Sequence, residues 1–195
     1  GRNLVNTDSD ERKSKVFDGA ANLGLPADAA LLAIANRWGA IFAAGGNGFR
    51  WAWLHEVRAA CETEGSSEDP ALIEKMERAF TAVTCRSEVS SASRPPGERA
   101  LELSLNADET KLSLAHVDGT VIIYDVAALL QGGAQSSEHS LGHGGATLRT
   151  FRWHPTDAAR GVALDSAGAL RMLSLLPAVA THLLATDASL CSMCW

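Results

Sequence analysis

Leu101-Glu-Leu-Ser-Leu-Asn-Ala-Asp-Glu-Thr-Lys-Leu-Ser-Leu-Ala-His-Val-Asp-Gly-Thr-Val-Ile-Ile-Tyr-Asp-Val126 reads as three short strands joined by two turns. Leu101, Leu103 and Leu105 alternate with Glu102 and Ser104, the pattern of a strand with one buried face. Asn106-Ala107-Asp108-Glu109 supplies turn residues. A second run, Lys111 to Val117, leads into Asp118-Gly119, a favoured pair for a tight hairpin. Thr120 to Val126 is β-branched or aromatic almost throughout and is read as the third strand.

The same layout returns downstream. Leu148 to Trp153 is a first run, and His154-Pro155-Thr156-Asp157 a turn in which Pro155 cannot donate to a ladder. Gly161 to Asp165, the hairpin Ser166-Ala167-Gly168 and Ala169 to Leu175 complete the copy. Setting Asn106 on His154 gives an offset of 48, and Gly119 on Gly168 gives 49. A looser copy precedes both. It comprises Leu31 to Ala35, the turn Asn36 to Gly39, Ala40 to Ala44, the hairpin Gly45 to Gly48, and Phe49 to Leu54. Leu190 to Trp195 repeats Leu148 to Trp153 at an offset of 42 and reads as the first strand of a further copy. A repeat of about 40–50 residues built from strands is the signature of propeller blades. A sandwich also has short strands and frequent turns, but the long-period self-similarity favours the propeller.

These readings divide the chain into a flexible segment 1–14 and a partial, all-β propeller over 15–195. Blade 1 spans about 28–60, a linker 62–99, blade 2 about 100–142, and blade 3 about 147–186. The first strand of a fourth blade spans about 188–195. Within the linker, Asp69 is placed as N-cap and Pro70 at the first position of a helix, with Leu72, Ile73, Met76 and Phe80 at helical spacing. Ser90 to Gly97 reads as a surface loop. An open arc of blades leaves apolar faces and strand edges uncovered, so the 195-residue chain is expected to self-associate or bind chaperones.

Composition excludes several function classes. The chain is 46% apolar and 21% charged, enough to bury a core. A net charge of −6 with scattered Lys and Arg argues against direct nucleic-acid binding. The longest uncharged apolar stretch, Ala29 to Ala35, is far below a membrane span, and Gly1 to Lys15 lacks the apolar run of a secretory signal. A soluble protein in a reducing compartment is expected. Cys61 and Cys85 stand alone, Cys191 and Cys194 lack a second ligand pair for zinc, and glycines break any helix joining His139 to His143.

No catalytic, cofactor-binding or metal-binding residue is assigned, and no small-molecule ligand or cofactor is expected. The Gly-x-Ser-x-Gly elbow, P-loop and His-Glu-x-x-His motifs are absent. Gly45-Gly46-Asn47-Gly48 lacks the Lys-Ser/Thr of a phosphate loop and fits a hairpin. Asp125 is read as a turn cap rather than a catalytic carboxylate. Trp51 and Trp53 are read as packing between blades rather than as a peptide-binding pair, and Trp153 and Trp195 as core. His154 is read as a turn residue.

Two resemblances sharpen the functional expectation. Tyr124-Asp125 stands where WD-type repeats carry Trp-Asp, although Gly142-His143 is the sole candidate for the accompanying Gly-His pair. More specifically, Lys15-Val-Phe-Asp18 and Leu31-Leu-Ala-Ile-Ala-Asn-Arg-Trp-Gly-Ala-Ile-Phe-Ala-Ala-Gly-Gly-Asn-Gly-Phe49 resemble the first blade of the CAN-type nucleoporins. Leu103 to Val126, Phe151-Arg-Trp-His-Pro155 and Ser192-Met-Cys-Trp195 are similar to successive strands of that family's N-terminal propeller, in the same order. The resemblance implies a non-catalytic docking platform on the cytoplasmic face of the nuclear pore complex. It also implies protein partners, a DEAD-box RNA helicase of messenger RNA export and other nucleoporins. The family domain has about seven blades, and its helicase surface lies on later ones, so no partner-binding residue is carried over. A WD-like adaptor of a ubiquitin ligase or vesicle coat, and a propeller with a site in its central channel, are the competing readings.

Overall fold

A computed structural model of the chain describes residues 31–45, 48–62, 70–84, 100–133, 135–142, 144–176, 180–187, 189 and 193. The first sheet contains β1 (Leu32–Ala35), β2 (Ala40–Gly45), β3 (Gly48–Trp53) and β4 (Thr81–Thr84). The second contains β5 (Ala100–Leu105), β6 (Lys111–His116), β7 (Thr120–Asp125) and β8 (Ser136–Ser140). The third contains β9 (Leu148–Trp153), β10 (Arg160–Asp165), β11 (Ala169–Ser174) and β12 (Ala180–Thr186). Each is a four-stranded antiparallel meander in chain order. β5 lies against β1 and β2 on one side and against β9 on the other, so the first strands sit innermost and the sheets stack side by side. Three propeller blades result, as the repeat predicts.

The repeat is visible in backbone detail. The amide of Gly119 donates to the carbonyl of His116, and that of Gly168 to Asp165, at 3.1 Å in both hairpins. Both glycines have positive φ, 90° and 77°. Gly119 has a second reason to be glycine: a Cβ there would lie 2.4 Å from the Cα of Gly142.

Packing follows from the register. Leu103 faces Leu114, which faces Ile122, and Leu105 faces Leu112, which faces Tyr124. Leu103, Leu112, Leu114, Ile122 and Tyr124 share one core with Ala33, Phe42, Phe49 and Trp51 of the first blade. Leu101, Ala115, Val121 and Ile123 share the other core with Phe151, Trp153, Ala163 and Leu173 of the third. Burying a side chain of this size contributes about 1.5–3 kcal/mol, so the middle blade binds the arc together through both faces.

Four sequence expectations need correction. β5 is not half-buried: a bulge between Ala100 and Glu102 sends Leu101 to one core and Leu103 to the other. Leu54, read as the end of a strand, starts helix α1 (Leu54–Cys61), because strand alternation stops at Trp53 and the following residues contain a single β-branched side chain. The stretch 62–99, read as a linker, contributes helix α2 (Pro70–Ala79), with Pro70 first as expected, and then β4, which pairs with β3 and completes the first blade. Val126, read as the end of β7, instead opens the short helix α3 (Val126–Leu130). The segment 1–14, Asp69, Ser90 to Gly97 and the fourth-blade strand over 190–192 and 194–195 fall outside the described residues.

Polar ties cross both seams. The Trp38 indole Nε1 donates to the carbonyl of Glu109 at 2.8 Å, and the Arg37 amide donates to Glu109 Oε2 at 2.7 Å. One blade further on, Asn106 Nδ2 donates to the carbonyl of Ala158 at 2.8 Å. The first turn of each blade is thus tied to the corresponding turn of the next. Trp153 Nε1 donates to Ser113 Oγ at 2.9 Å within the second core. The bulge also aims Glu102 at β9, where its carboxylate pairs with Arg152 and accepts from Thr150 Oγ1 at 3.3 Å and the Phe151 amide at 3.4 Å. Burial raises the Glu102 pKa above its ordinary 4.5, and the Arg152 charge and the hydrogen bonds offset only part of that effect.

Three outcomes are expected. Gly119→Ala will destabilise the chain by roughly 1–3 kcal/mol in urea titrations, and by more than Gly132→Ala, where φ is 82° but no atom crowds the Cβ. Because folded Glu102 holds its proton more tightly than unfolded glutamate, stability falls as pH rises from 4.5 to its raised folded value. Glu102→Gln should therefore flatten the pH dependence of the urea midpoint above pH 4.5; an unchanged profile would contradict this. Leu32 and Ile34, 53% and 45% exposed on β1, present an apolar row opposite Ala33 and Ala35. Leu32→Ser with Ile34→Ser should lower self-association in sedimentation velocity without lowering the urea midpoint.

Candidate docking surface

The turn ends of blades 2 and 3 form a groove of about 520 Å³. Its apolar side comprises buried Ile123 with half-buried Ala158 and Leu175, extended by Leu176, which is 69% exposed. Its polar side carries Asp108, Lys111 and Asp125, and the start of β8 runs along it with Ser136 and Ser137.

Local hydrogen bonding fixes these groups. Asp108 Oδ1 accepts from the amide of Thr110 at 3.1 Å and from its hydroxyl at 2.7 Å, closing the turn between β5 and β6. The Thr110 hydroxyl is the main cause of an Asp108 pKa below the usual carboxylate value. Asp125 caps α3: its Oδ1 accepts from the amide of Ala128 at 2.9 Å, and its Oδ2 pairs with Lys111 Nζ at 2.9 Å. The Ala128 bond, followed by Lys111, holds the Asp125 pKa down. Two cations face these two carboxylates: Lys111 pairs with Asp125, and Arg37 Nη1 donates to the carbonyl of Asp108 at 3.1 Å.

The residues singled out by sequence separate clearly. Asp125 is a cap, as read. Trp51 is 8% exposed in the first core, and its ring meets Trp53 edge to face at 5.3 Å. Trp153 is buried and packs edge to face on Phe151 at 5.2 Å. Tyr124, at the Trp-Asp position, packs on Phe49 across the first seam at 5.0 Å. His154 Nδ1 accepts from the amides of Thr156 and Asp157 at 3.2 and 2.9 Å and so organises its turn. Gly45 pairs with Gly48, as a hairpin requires. His139 lies on β8 with Nε2 2.8 Å from Ser137 Oγ, and Cys61 is exposed on α1. Among the described residues no group of three His, Cys, Asp or Glu side chains could hold a metal. Gly46, Asn47, Cys85, His143, Cys191, Cys194 and Trp195 lie outside the described residues.

Sequence reasoning placed Asn106 and Asp108 in a turn and Asp125 as a cap, and missed the role of Glu102, the reach of Asn106 to the next blade and the Lys111–Asp125 pair. Lys111 and Asp125 sit opposite each other across β6 and β7, a relation that follows from the hairpin register once Asp118-Gly119 is placed. The contacts of Glu102 and Asn106 cross to another blade, and no local pattern signals them.

Comparison with known proteins places this geometry. No curated protein sequence matches the chain. Among solved structures, a chain of a Mitotic Checkpoint Complex aligns with a TM-score of 0.52 at 14% identity, over 88% of this chain and 41% of that one. A chain from a Saccharomyces cerevisiae complex of a dbp5 variant bound to nup159, a gle1 variant, ip6 and adp gives 0.49 at 14% identity, over 85% and 36%. A chain from a Chaetomium thermophilum Nup82–Nup159–Nup145N complex gives 0.49 at 17% identity, over 78% and 28%. These likenesses concern the fold, and the chain spans about two fifths or less of each structure's length. Residues 26–195 match the NUP159/214 beta propeller family, and the match takes in all three blades. The chain therefore belongs to the NUP159/214 β-propeller family of nuclear pore complex proteins.

Proposed function

We propose that the chain forms part of a non-catalytic docking platform on the cytoplasmic face of the nuclear pore, serving messenger RNA export by holding a DEAD-box RNA helicase. The observation that carries this reading is the family match over residues 26–195, coincident with the three blades. The placement of the candidate residues supports the reading. Of the aromatic pair, Trp51 is in the first core and half-buried Trp53 packs against it; the candidate carboxylate Asp125 is a helix cap, and His154 organises its turn. What the blades offer outward is loops and strand edges, the parts of a propeller that recognise other proteins.

The test is in cells. The tagged gene product should stain the nuclear rim, with immunogold label on the cytoplasmic side, and co-purify with a DEAD-box helicase and other nucleoporins. Depleting it should cause polyadenylated RNA to accumulate in the nucleus. Recovery of ubiquitin-ligase or coat subunits without helicase or nucleoporins would overturn the proposal in favour of a general adaptor.

A further inference from the structure

The outermost strands of the three blades differ in how they meet solvent. β4 has only four residues, and β8 carries Glu138 within Ser-Ser-Glu-His-Ser. β12 runs for seven residues as Ala-Thr-His-Leu-Leu-Ala-Thr, with no Asp, Glu, Lys, Arg, Gly or Pro. We propose that β12 is a self-docking edge, along which two copies of the chain pair antiparallel and join two blades into one continuous sheet. This reading does not depend on the helicase assignment.

The edge is open and well seated. Among the described residues β12 pairs with β11 alone, so one row of its amides and carbonyls faces away from the blade. Its other row is held along the whole strand, from Ser174 opposite Ala180 to Ala169 opposite Thr186. Beyond the strand, the amide of Asp187 donates to the carbonyl of Gly168 at 3.0 Å. Proteins protect such edges by shortness, charge, proline or a bulge. β12 has only a bulge: Leu183 faces Arg171 and Ala185 faces Leu170, which leaves Leu184 as the extra residue. The bulge interrupts the edge at one point, and residues 180–183 remain a regular run. Leu183 and Leu184 are 56% and 50% exposed, so an added strand would remove apolar surface from water as well as pair the main chain.

Three features favour a second copy as the occupant. A strand paired antiparallel with itself about a two-fold axis matches donors and acceptors by symmetry. With no fixed charge in the strand, no register sets like charges opposite each other. Asp187, the first fixed charge after the strand, falls at opposite ends of an antiparallel pair. A single seven-residue edge is small beside a standard protein interface, so the association is weak and reversible.

The experiment is amide hydrogen exchange on the 195-residue chain, read by mass spectrometry at about 5 and 500 µM. Outward-facing amides of β12 exchange freely in a single copy and gain a partner in the pair. For a Kd of about 100 µM, exchange over residues 180–186 should slow roughly threefold at the higher concentration, with β4 and β8 unchanged. The slowing should persist in Leu32→Ser with Ile34→Ser, which separates it from association through β1. It should disappear in Leu183→Lys with Leu184→Lys, two exposed positions at which lysine blunts the edge. Circular dichroism and the urea midpoint check that this variant is folded; if it is not, Leu184→Lys alone, on the bulged residue, takes its place. Exchange over 180–186 that ignores concentration would overturn the proposal, and is the result expected if the edge instead serves a strand from another protein. Equal slowing at β4 and β8, slowing that survives the lysines, or slowing lost with Leu32→Ser and Ile34→Ser would overturn it as well.

Discussion

The middle blade has to be buried on both faces, and the rest of the architecture answers that requirement. An antiparallel sheet of a small protein usually turns one face to water, and its strands then alternate apolar and polar residues. Here Leu112, Ser113, Leu114 and Ala115 of β6 are all buried, as are Val121, Ile122, Ile123 and Tyr124 of β7. Such strands are unstable as a lone sheet. They become stable when one blade covers Leu114 and Ile122 and another covers Ala115 and Val121, which is the arrangement seen in the two cores. Side-by-side stacking is thus a consequence of side-chain chemistry in about 15 residues of the second repeat.

Apolar contact alone does not fix the angle or register between blades, since it is non-directional. The hydrogen bonds from Trp38 to Glu109 and from Asn106 to Ala158 supply direction. They join equivalent turns of successive blades, so each blade positions the next by the same device. The Trp153–Ser113 bond adds a constraint within the second core, where an unpaired indole N–H would be costly. Glu102 works differently. Its burial disfavours the charged form, and Arg152 offsets only part of that cost, so the pair is weak evidence for stability of the seam.

This division between apolar and polar contributions explains what the sequence made legible. Blade strands could be placed because alternation and β-branched runs are local, and hairpins because Gly119 and Gly168 need a backbone that only glycine adopts easily. The repeat itself was visible because each copy solves the same burial problem. β4 was not visible: Thr-Ala-Val-Thr is four residues long and follows a helix, and only its pairing with β3 marks it as a strand. The bulge at Ala100 to Glu102 was equally hidden, because Leu101 and Leu103 read as one face until the backbone separates them. Asp125 was legible as a cap because capping is a local relation. Its partner role in the groove was not, because the groove exists only where two blades meet.

The turn ends of the seam are accordingly where a divergent propeller can vary its surface without disturbing its fold. Mutation of Leu114 or Phe151 would open a core, whereas Asp108, Ser136 and Leu176 are exposed and contribute little to either core. The turn that carries Asp108 is held by Asn106, and the backbone at Leu176 by the Leu175 amide, which donates to the carbonyl of Ala159 at 2.8 Å, and by the Ser174 hydroxyl, which donates to the Leu176 carbonyl at 2.7 Å. A site with exposed, replaceable side chains on rigid turns can change its ligand by single substitutions. The geometry therefore assigns stability to the blade faces and leaves the turn ends of the seam open to substitution. That separation lets surface side chains change while the packing of the blades is kept.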